Sequence, residues 1–172
     1  MEKLWIRREA EEDISSIHRL VARSYETARH SAHNAPQIVE GLRDADVLSL
    51  SLVAIQGFDV VGYIAASPVL ISDGTGGWYG LGPVAVDPER QNAGIGGSLM
   101  GQALQELREG GAGGVVSLGD PDFYRRFGFE VIEGLAYRAA PAGELLAMNL
   151  CDSSVPQGSV SYHQAFGSPY QD

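Results

Sequence analysis

The segment LGPVAVDPERQNAGIGGSLMGQALQEL, from Leu81 to Leu107, constrains this chain more than any other. It opens on a short, bounded apolar run with β-branched Val84 and Val86, the pattern of a buried strand. Asp87-Pro88 ends the run, because proline has no amide to give a ladder and restricts the residue before it. Further on, Ile95, Leu99, Met100, Ala103, Leu104 and Leu107 fall on one side of a helix, and Gln102, Gln105, Glu106 and Arg108 fall on the other. Gly94, Gly96 and Gly97 stand where that helix begins. A helix start leaves several backbone N–H groups unpaired and carries partial positive charge. Glycines there remove the side chains that would hold an anion away, so the segment predicts a phosphate cradle built from backbone amides.

Three glycine-rich loops fit that description in outline. A Walker loop requires Gly-Lys-Ser/Thr, and here the glycines run into Ser98-Leu99 with no lysine. A dinucleotide fingerprint requires G-x-G-x-x-G directly after its strand, and here the third glycine is missing and the loop starts well after Val86. The third pattern is Gln/Arg-x-x-Gly-x-Gly/Ala after a V-x-V-x-P strand end. Gln91-Asn92-Ala93-Gly94-Ile95-Gly96 fits it, preceded by Val84-Ala85-Val86-Asp87-Pro88. On these residues the chain resembles the GNAT superfamily of acyl-CoA-dependent N-acetyltransferases, and the segment DPDFYRRFGF resembles a bacterial subgroup of it.

The remaining pattern is compatible with that resemblance. Leu4 to Arg8 reads as a first strand, and Glu11-Glu12-Asp13 places acids at a helix start, where the dipole favours them. Ile14, Ile17, Leu20 and Val21 form the stripe of a first helix, and Pro36 opens a second with Ile38, Val39 and Leu42 inward. Val47 to Ile55 alternates, with Ser49, Ser51 and Val53 on a wetter face, and should form a hairpin with Val60 to Ala66. Pro83 lies inside the strand Trp78 to Val86 and predicts a bulge or an unpaired side. Val115 to Leu118 predicts a buried strand. Asp120, Pro121 and Gly128 predict the cap, first turn and end of a short helix. Strands are further expected at Phe129 to Ile132, Leu145 to Leu150 and Ser159 to Phe166. The order implies an α+β (mixed α/β) GNAT fold, with a mostly antiparallel twisted sheet of about seven strands flanked by about four helices. In that family the sheet is splayed between strands 4 and 5. One domain over residues 1–166 and a frayed tail over 167–172 are expected.

Charge and cysteine usage exclude several other functions. A net charge of −10, with no basic cluster beyond Arg7-Arg8 and Arg125-Arg126, argues against a nucleic-acid partner. The single cysteine, Cys151, rules out an internal disulfide and is expected to be a small buried residue. With no apolar leader and no apolar run approaching a membrane span, a cytoplasmic protein without a membrane partner is expected, as monomer or homodimer.

The resemblance implies acetyl-CoA as acyl-donor cosubstrate, no metal, and a primary amine of a small molecule or peptide as acceptor. The cofactor would meet the amides of Gln91, Asn92, Ala93, Gly94, Ile95, Gly96, Gly97 and Ser98, with Arg90 nearby. Val84, Ala85 and Val86 would offer backbone groups to the pantetheine arm, and an amide near Val84 would polarise the acetyl carbonyl. Phe123 and Phe127 are expected as core or pantetheine-wall residues. Tyr124 occupies the place of the family's catalytic tyrosine and is the candidate general acid, since a phenol keeps its proton at neutral pH; packing alone also explains it. Some family members carry a glutamate base on the fourth strand, and Trp78 to Val86 carries no carboxylate. His30 and His33, in the polar segment between the first two helices, are the base candidates, and deprotonation through solvent is the other route. A binding module that senses acyl-CoA without turnover is the alternative function.

Overall fold

The elements follow from the pattern with local exceptions. A computed structural model describes residues 2–26, 34–141 and 143–167. In chain order they form β1 (Leu4–Arg8), a 3-10 turn at Glu11–Asp13, α1 (Ile14–Glu26), α2 (Ala35–Asp44), β2 (Leu50–Gln56), β3 (Asp59–Pro68) and β4 (Leu70–Ile71). Then come β5 (Trp78–Val86), a 3-10 turn at Pro88–Arg90, α3 (Ile95–Glu109), β6 (Gly114–Leu118), α4 (Pro121–Arg125), β7 (Leu135–Ala136), β8 (Leu145–Asn149), β9 (Gly158–Ser161) and a last 3-10 turn at Gln164–Phe166.

The main sheet has the order β1-β2-β3-β5-β6-β8. Its pairs are antiparallel except β5–β6, which α3 connects as a parallel crossover. Both faces are covered. On one, Ile95, Leu99, Met100 and Ala103 of α3 pack on Leu52, Ala54, Ile64 and Leu81. On the other, Ile17, Leu20 and Val21 of α1 and Val39 of α2 pack on Val53, Tyr63, Ala65 and Ala85. Helix α3 lies so close that a side chain at Gly62 would meet Ile95 and Leu99 at 2.8 Å. Asp13 ties α1 to β1: it is buried and accepts from Ala10 N–H at 2.7 Å and from Arg7 at 2.6 Å. That pairing holds its carboxyl below the ordinary carboxylate range.

The bulge expected at Pro83 is present. Ile64 pairs with Val84 and Ala66 with Leu81, so Gly82 and Pro83 together stand opposite Ala65. Their peptide bond is cis.

Four expectations need correction. The face carrying Ser49, Ser51 and Val53 is wet only at its start: Ser49 is exposed and Ser51 half-buried, with Oγ 2.7 Å from the Tyr63 hydroxyl, whereas α1 and α2 cover Val53, which is fully buried. Phe129 to Ile132 is not a strand and contributes only a bridge, Glu130 to Ala147. The last strand ends at Ser161, because His163 Nδ1 accepts from Ala165 N–H at 3.0 Å and caps a 3-10 turn. It also leaves the main sheet, which therefore has six strands, and joins a second sheet of order β4-β9-β7. Cys151 is exposed, since it follows β8 in a bend, with Sγ 2.6 Å from Ser153 Oγ. His30, His33 and residues 168–172 of the tail lie outside the described residues. No helix among the described residues is long and apolar enough to cross a membrane.

Candidate active site at the parting of two strands

The fourth and fifth strands of the main sheet, β5 and β6, pair only at Trp78–Gly114, Tyr79–Val115 and Gly80–Val116. Beyond Gly80 they separate, and β5 continues to Val86 with β3 as its partner. In an antiparallel ladder successive residues turn their amides to opposite sides. Asp87 N–H donates to the Val61 carbonyl at 2.9 Å, so Ala85 faces β3 as well, while Val84 and Val86 turn their N–H and C=O groups to the gap. A strand edge left open inside a sheet is a ready template for an extended ligand.

The start of α3 borders the same gap. The site of a side chain at Gly96 would be 3.6 Å from Val86 Cγ2 and 3.2 Å from the Phe123 ring; at Gly97 it would be 3.8 Å from Phe127. Glycine at position 96 therefore admits an aromatic ring as well as leaving the helix end bare. Ile95, Gly96 and Gly97 are the first three helical residues, whose amides have no acceptor within the helix. Ser98 differs: its N–H and its Oγ–H both donate to the Gly94 carbonyl at 3.0 Å. Gly94 caps the helix at φ +83°, which favours glycine, and a side chain there would enter open space. Gln91, Asn92 and Ala93 form the exposed approach, and the Arg90 guanidinium is 3.4 Å from Asp59.

Helix α4 supplies the aromatic wall. Asp120 caps it, accepting from Asp122 N–H at 3.0 Å. Phe123 meets Tyr124 and Phe127 edge-on at 5.1 and 5.2 Å, Tyr124 meets Phe129 at 5.3 Å, and the Arg126 guanidinium lies 5.3 Å from the Phe123 ring. Tyr124 is buried. Burial raises its hydroxyl above the ordinary phenol range, a bond with Ser117 opposes that rise, and the charge of Asp120 adds to it. The group stays protonated at neutral pH, the form in which a phenol can donate.

The structure thus brings Val84, Val86, Ile95, Gly96, Gly97, Phe123, Tyr124 and Phe127 to one place, and leaves Ala85, which faces β3 and packs under α1, Arg90 and the Ser98 donors turned to other partners. Three further residues join them. Tyr25, in the last turn of α1, has its hydroxyl against the Val84 N–H. Ser117 is fully buried at the apex of the gap. Gly119 lets the Tyr124 ring rest on the backbone, since a side chain there would meet the ring at 2.9 Å. Of these only Ser117 left a trace in the sequence, as a lone hydroxyl in the apolar run GGVVSL.

A mixed sheet parted beside a glycine-rich helix start defines the class. The chain belongs to the GNAT acetyltransferase family: residues 5–132 match the family described as Acetyltransferase (GNAT) domain. It is 35% identical over 167 residues to the uncharacterized N-acetyltransferase YhbS of Escherichia coli K12, covering 94% of this chain and 97% of that protein. Among solved structures it is similar to a GNAT family acetyltransferase from Brucella melitensis in complex with acetyl-CoA. That match has 40% identity and a TM-score of 0.84, over 96% of this chain and 99% of that one. It is also similar to E. coli YhbS in complex with CoA, with 34% identity and a TM-score of 0.86, over 96% of this chain and 93% of that one. The chain is accordingly an N-acetyltransferase by class.

Proposed function

We propose that this chain moves an acetyl group from acetyl-CoA directly to a primary amine of a small molecule or peptide, with donor and acceptor bound together. The carrying observation is the open edge of β5, where Val84 and Val86 face the gap beyond Gly80. An extended arm bearing amides suits that edge, because the edge offers alternating donors and acceptors as a neighbouring strand would. The diphosphate suits the bare amides of Ile95, Gly96 and Gly97 beside Gly94, with Gln91, Asn92, Ala93, Ser98 and Arg90 at the rim. Phe123 and Phe127 would wall the pantetheine. Acetyl-CoA supplies the activated acyl group.

The chain's own contributions are three. An amide near Val84 polarises the acetyl carbonyl, a contact that strengthens as charge develops on oxygen. Tyr124 gives a proton to the departing sulfur. The amine loses its proton to His30 or His33, or to solvent, before it attacks. Tyr25, beside the Val84 amide, marks the acceptor side of the gap. A cytoplasmic site of action fits the one cysteine, exposed and unpaired.

Isothermal titration with acetyl-CoA tests the reading: saturable one-to-one binding is expected, and folded protein that shows no heat of binding overturns it. A panel of primary amines, followed by release of free thiol, then tests the transfer. Binding without thiol release on any amine removes the acceptor assignment.

A further inference from the structure

Two hydroxyl oxygens near the parting of β5 and β6, Ser67 Oγ and Tyr162 Oη, are sealed from solvent and have no hydrogen-bond partner among the described residues. An unpaired buried hydroxyl lowers stability, and native folds keep few of them. These two share one position in the sheet. Ser67 pairs with Gly80 in the β3–β5 ladder, and directly opposed residues point to the same face. On that face the Tyr162 ring rests on Gly80: its Cε1, next to the carbon that bears the hydroxyl, is 2.5 Å from where a side chain would start. Gly80 also makes the last pair with β6, so both side chains stand at the head of the gap.

The face is the one turned away from α3. Ala66 and Leu81 pack with α3, and side chains alternate along a strand, so Ser67 and Gly80 look the other way. Phe123, Phe127, Val86 and the glycine start of α3 lie together on the α3 face. A donor anchored there reaches the gap from one side, and the second substrate must meet the acyl group from the other.

The surroundings select the chemistry. The Tyr162 ring meets Tyr137 and Phe166 at 5.3 and 5.0 Å, and Val69, Val116 and Val160 belong to the same cluster. None of these side chains is charged. Burial pushes the Tyr162 hydroxyl above the ordinary phenol range, and Tyr124 and Tyr137 add to the rise, so the group stays an O–H donor. An ammonium or carboxylate brought here would lose its water and find no counter-ion. A carbonyl oxygen loses far less, and it has two lone pairs, one for each hydroxyl.

We propose that Tyr162 and Ser67 are specificity-determining residues for the acceptor, their hydroxyls donating to a neutral carbonyl oxygen close to its amine, so that the enzyme takes amino amides and peptide N-termini before amino acids or alkylamines. In the free enzyme the unpaired hydroxyls reduce stability, and the acceptor supplies the missing partner. The inference rests on amine transfer as the function.

Two measurements on the whole protein test it. The first needs no acceptor. Tyr162→Phe keeps the ring and removes an unpaired hydroxyl, so the melting temperature of the free protein should hold or rise by about 2 °C, and Ser67→Ala should behave alike. The second follows thiol release from acetyl-CoA with glycinamide, β-alaninamide and glycylglycinamide, each beside the carboxylate and the branched alkylamine of similar shape. Wild type should prefer the amides. Either substitution should lower the kcat/KM ratio of amide to alkylamine by about tenfold relative to wild type, a comparison that cancels each amine's own reactivity. A melting temperature lowered by either substitution means that its hydroxyl already has a structural partner, such as a bound water, and overturns the inference. A ratio unchanged in either variant also overturns it and leaves amine transfer standing. No thiol release from wild type with any amine overturns the transfer reading and this inference together.

Discussion

The two ends of β5 make opposite use of one strand. Trp78–Gly80 pairs with β6, and Tyr79 and Gly80 also pair with β3, so that this end is bonded on both sides. Val84–Val86 pairs with β3 alone and leaves its other edge to the gap. The closed end is also crowded: the Trp78 indole lies where a side chain on Gly114 would be, and Tyr162 presses on Gly80 at 2.5 Å from a side-chain position. At the open end the walls are aromatic rings and glycine backbone. Between them lie the bulge at Gly82-Pro83 and the Ser117 bridge. Backbone pairing between β5 and β6, of a kind close to obligatory in a protein interior, runs up to Gly80 and gives way at the next residue to a side-chain clasp. Rigidity at one end of the strand keeps the other end open without letting it collapse.

Substitutions at each end should separate fold from binding. The largest effect belongs to the closed end. Gly114→Val forces a side chain into the Trp78 ring and should cost about 3 kcal/mol or more of stability by denaturant unfolding. A variant as stable as wild type would show that this end is not packed as described. At the open end, Gly97→Glu has room, 3.8 Å from Phe127, and puts a carboxylate where the diphosphate is proposed to lie. Calorimetry should report acetyl-CoA affinity lower by about 100-fold, or about 2.7 kcal/mol. Its melting temperature should hold or rise, because the first turn of α3 loses a glycine and gains an acid. Retained affinity would move the diphosphate away from α3.

Tyr124→Phe should reduce thiol release with a productive amine by about tenfold, or about 1.4 kcal/mol, with acetyl-CoA affinity unchanged. Unchanged turnover assigns Tyr124 to packing. The smallest effect is remote from both ends of β5. Asp13→Asn weakens the Arg7 and Ala10 contacts and should cost about 1 kcal/mol near neutral pH. The pairing lowers the folded-state value of Asp13 from 3.8, so its stabilisation is present above that pH and fades as pH falls below it. Wild type should therefore lose more stability on acidification than Asp13→Asn, and acetyl-CoA affinity at neutral pH should be equal in the two. A parallel loss of affinity would mean that the open end depends on distant packing.

Much of this was legible in the chain. Ile95, Leu99, Met100, Ala103, Leu104 and Leu107 are all buried on the predicted stripe, because a helix of known period puts them on one side. Pro83 marked its bulge, and Asp120 with Pro121 marked the start of α4, since each acts within a few residues. Val53 was misplaced on a wet face because the alternation of β2 carries no record of α1 and α2 closing over it. The final strand was drawn too long because the apolar pattern of SYHQAF does not reveal that His163 will cap a turn. Tyr25 gave no signal, for its importance comes only from lying against Val84, far along the chain.

By itself the sequence determined the local devices: a strand ended by proline, a helix begun on glycines, a short capped helix carrying two phenylalanines and a tyrosine. Those depend on backbone conformation and periodicity, which act over a few residues. Only the tertiary structure decided that β5 leaves β6 after Gly80, that the Val84 and Val86 amides meet no partner strand there, and that the Ser117 side chain reaches the Leu81 carbonyl. Such contacts bring together residues distant in sequence, and their geometry is set by how helices and sheet pack against one another.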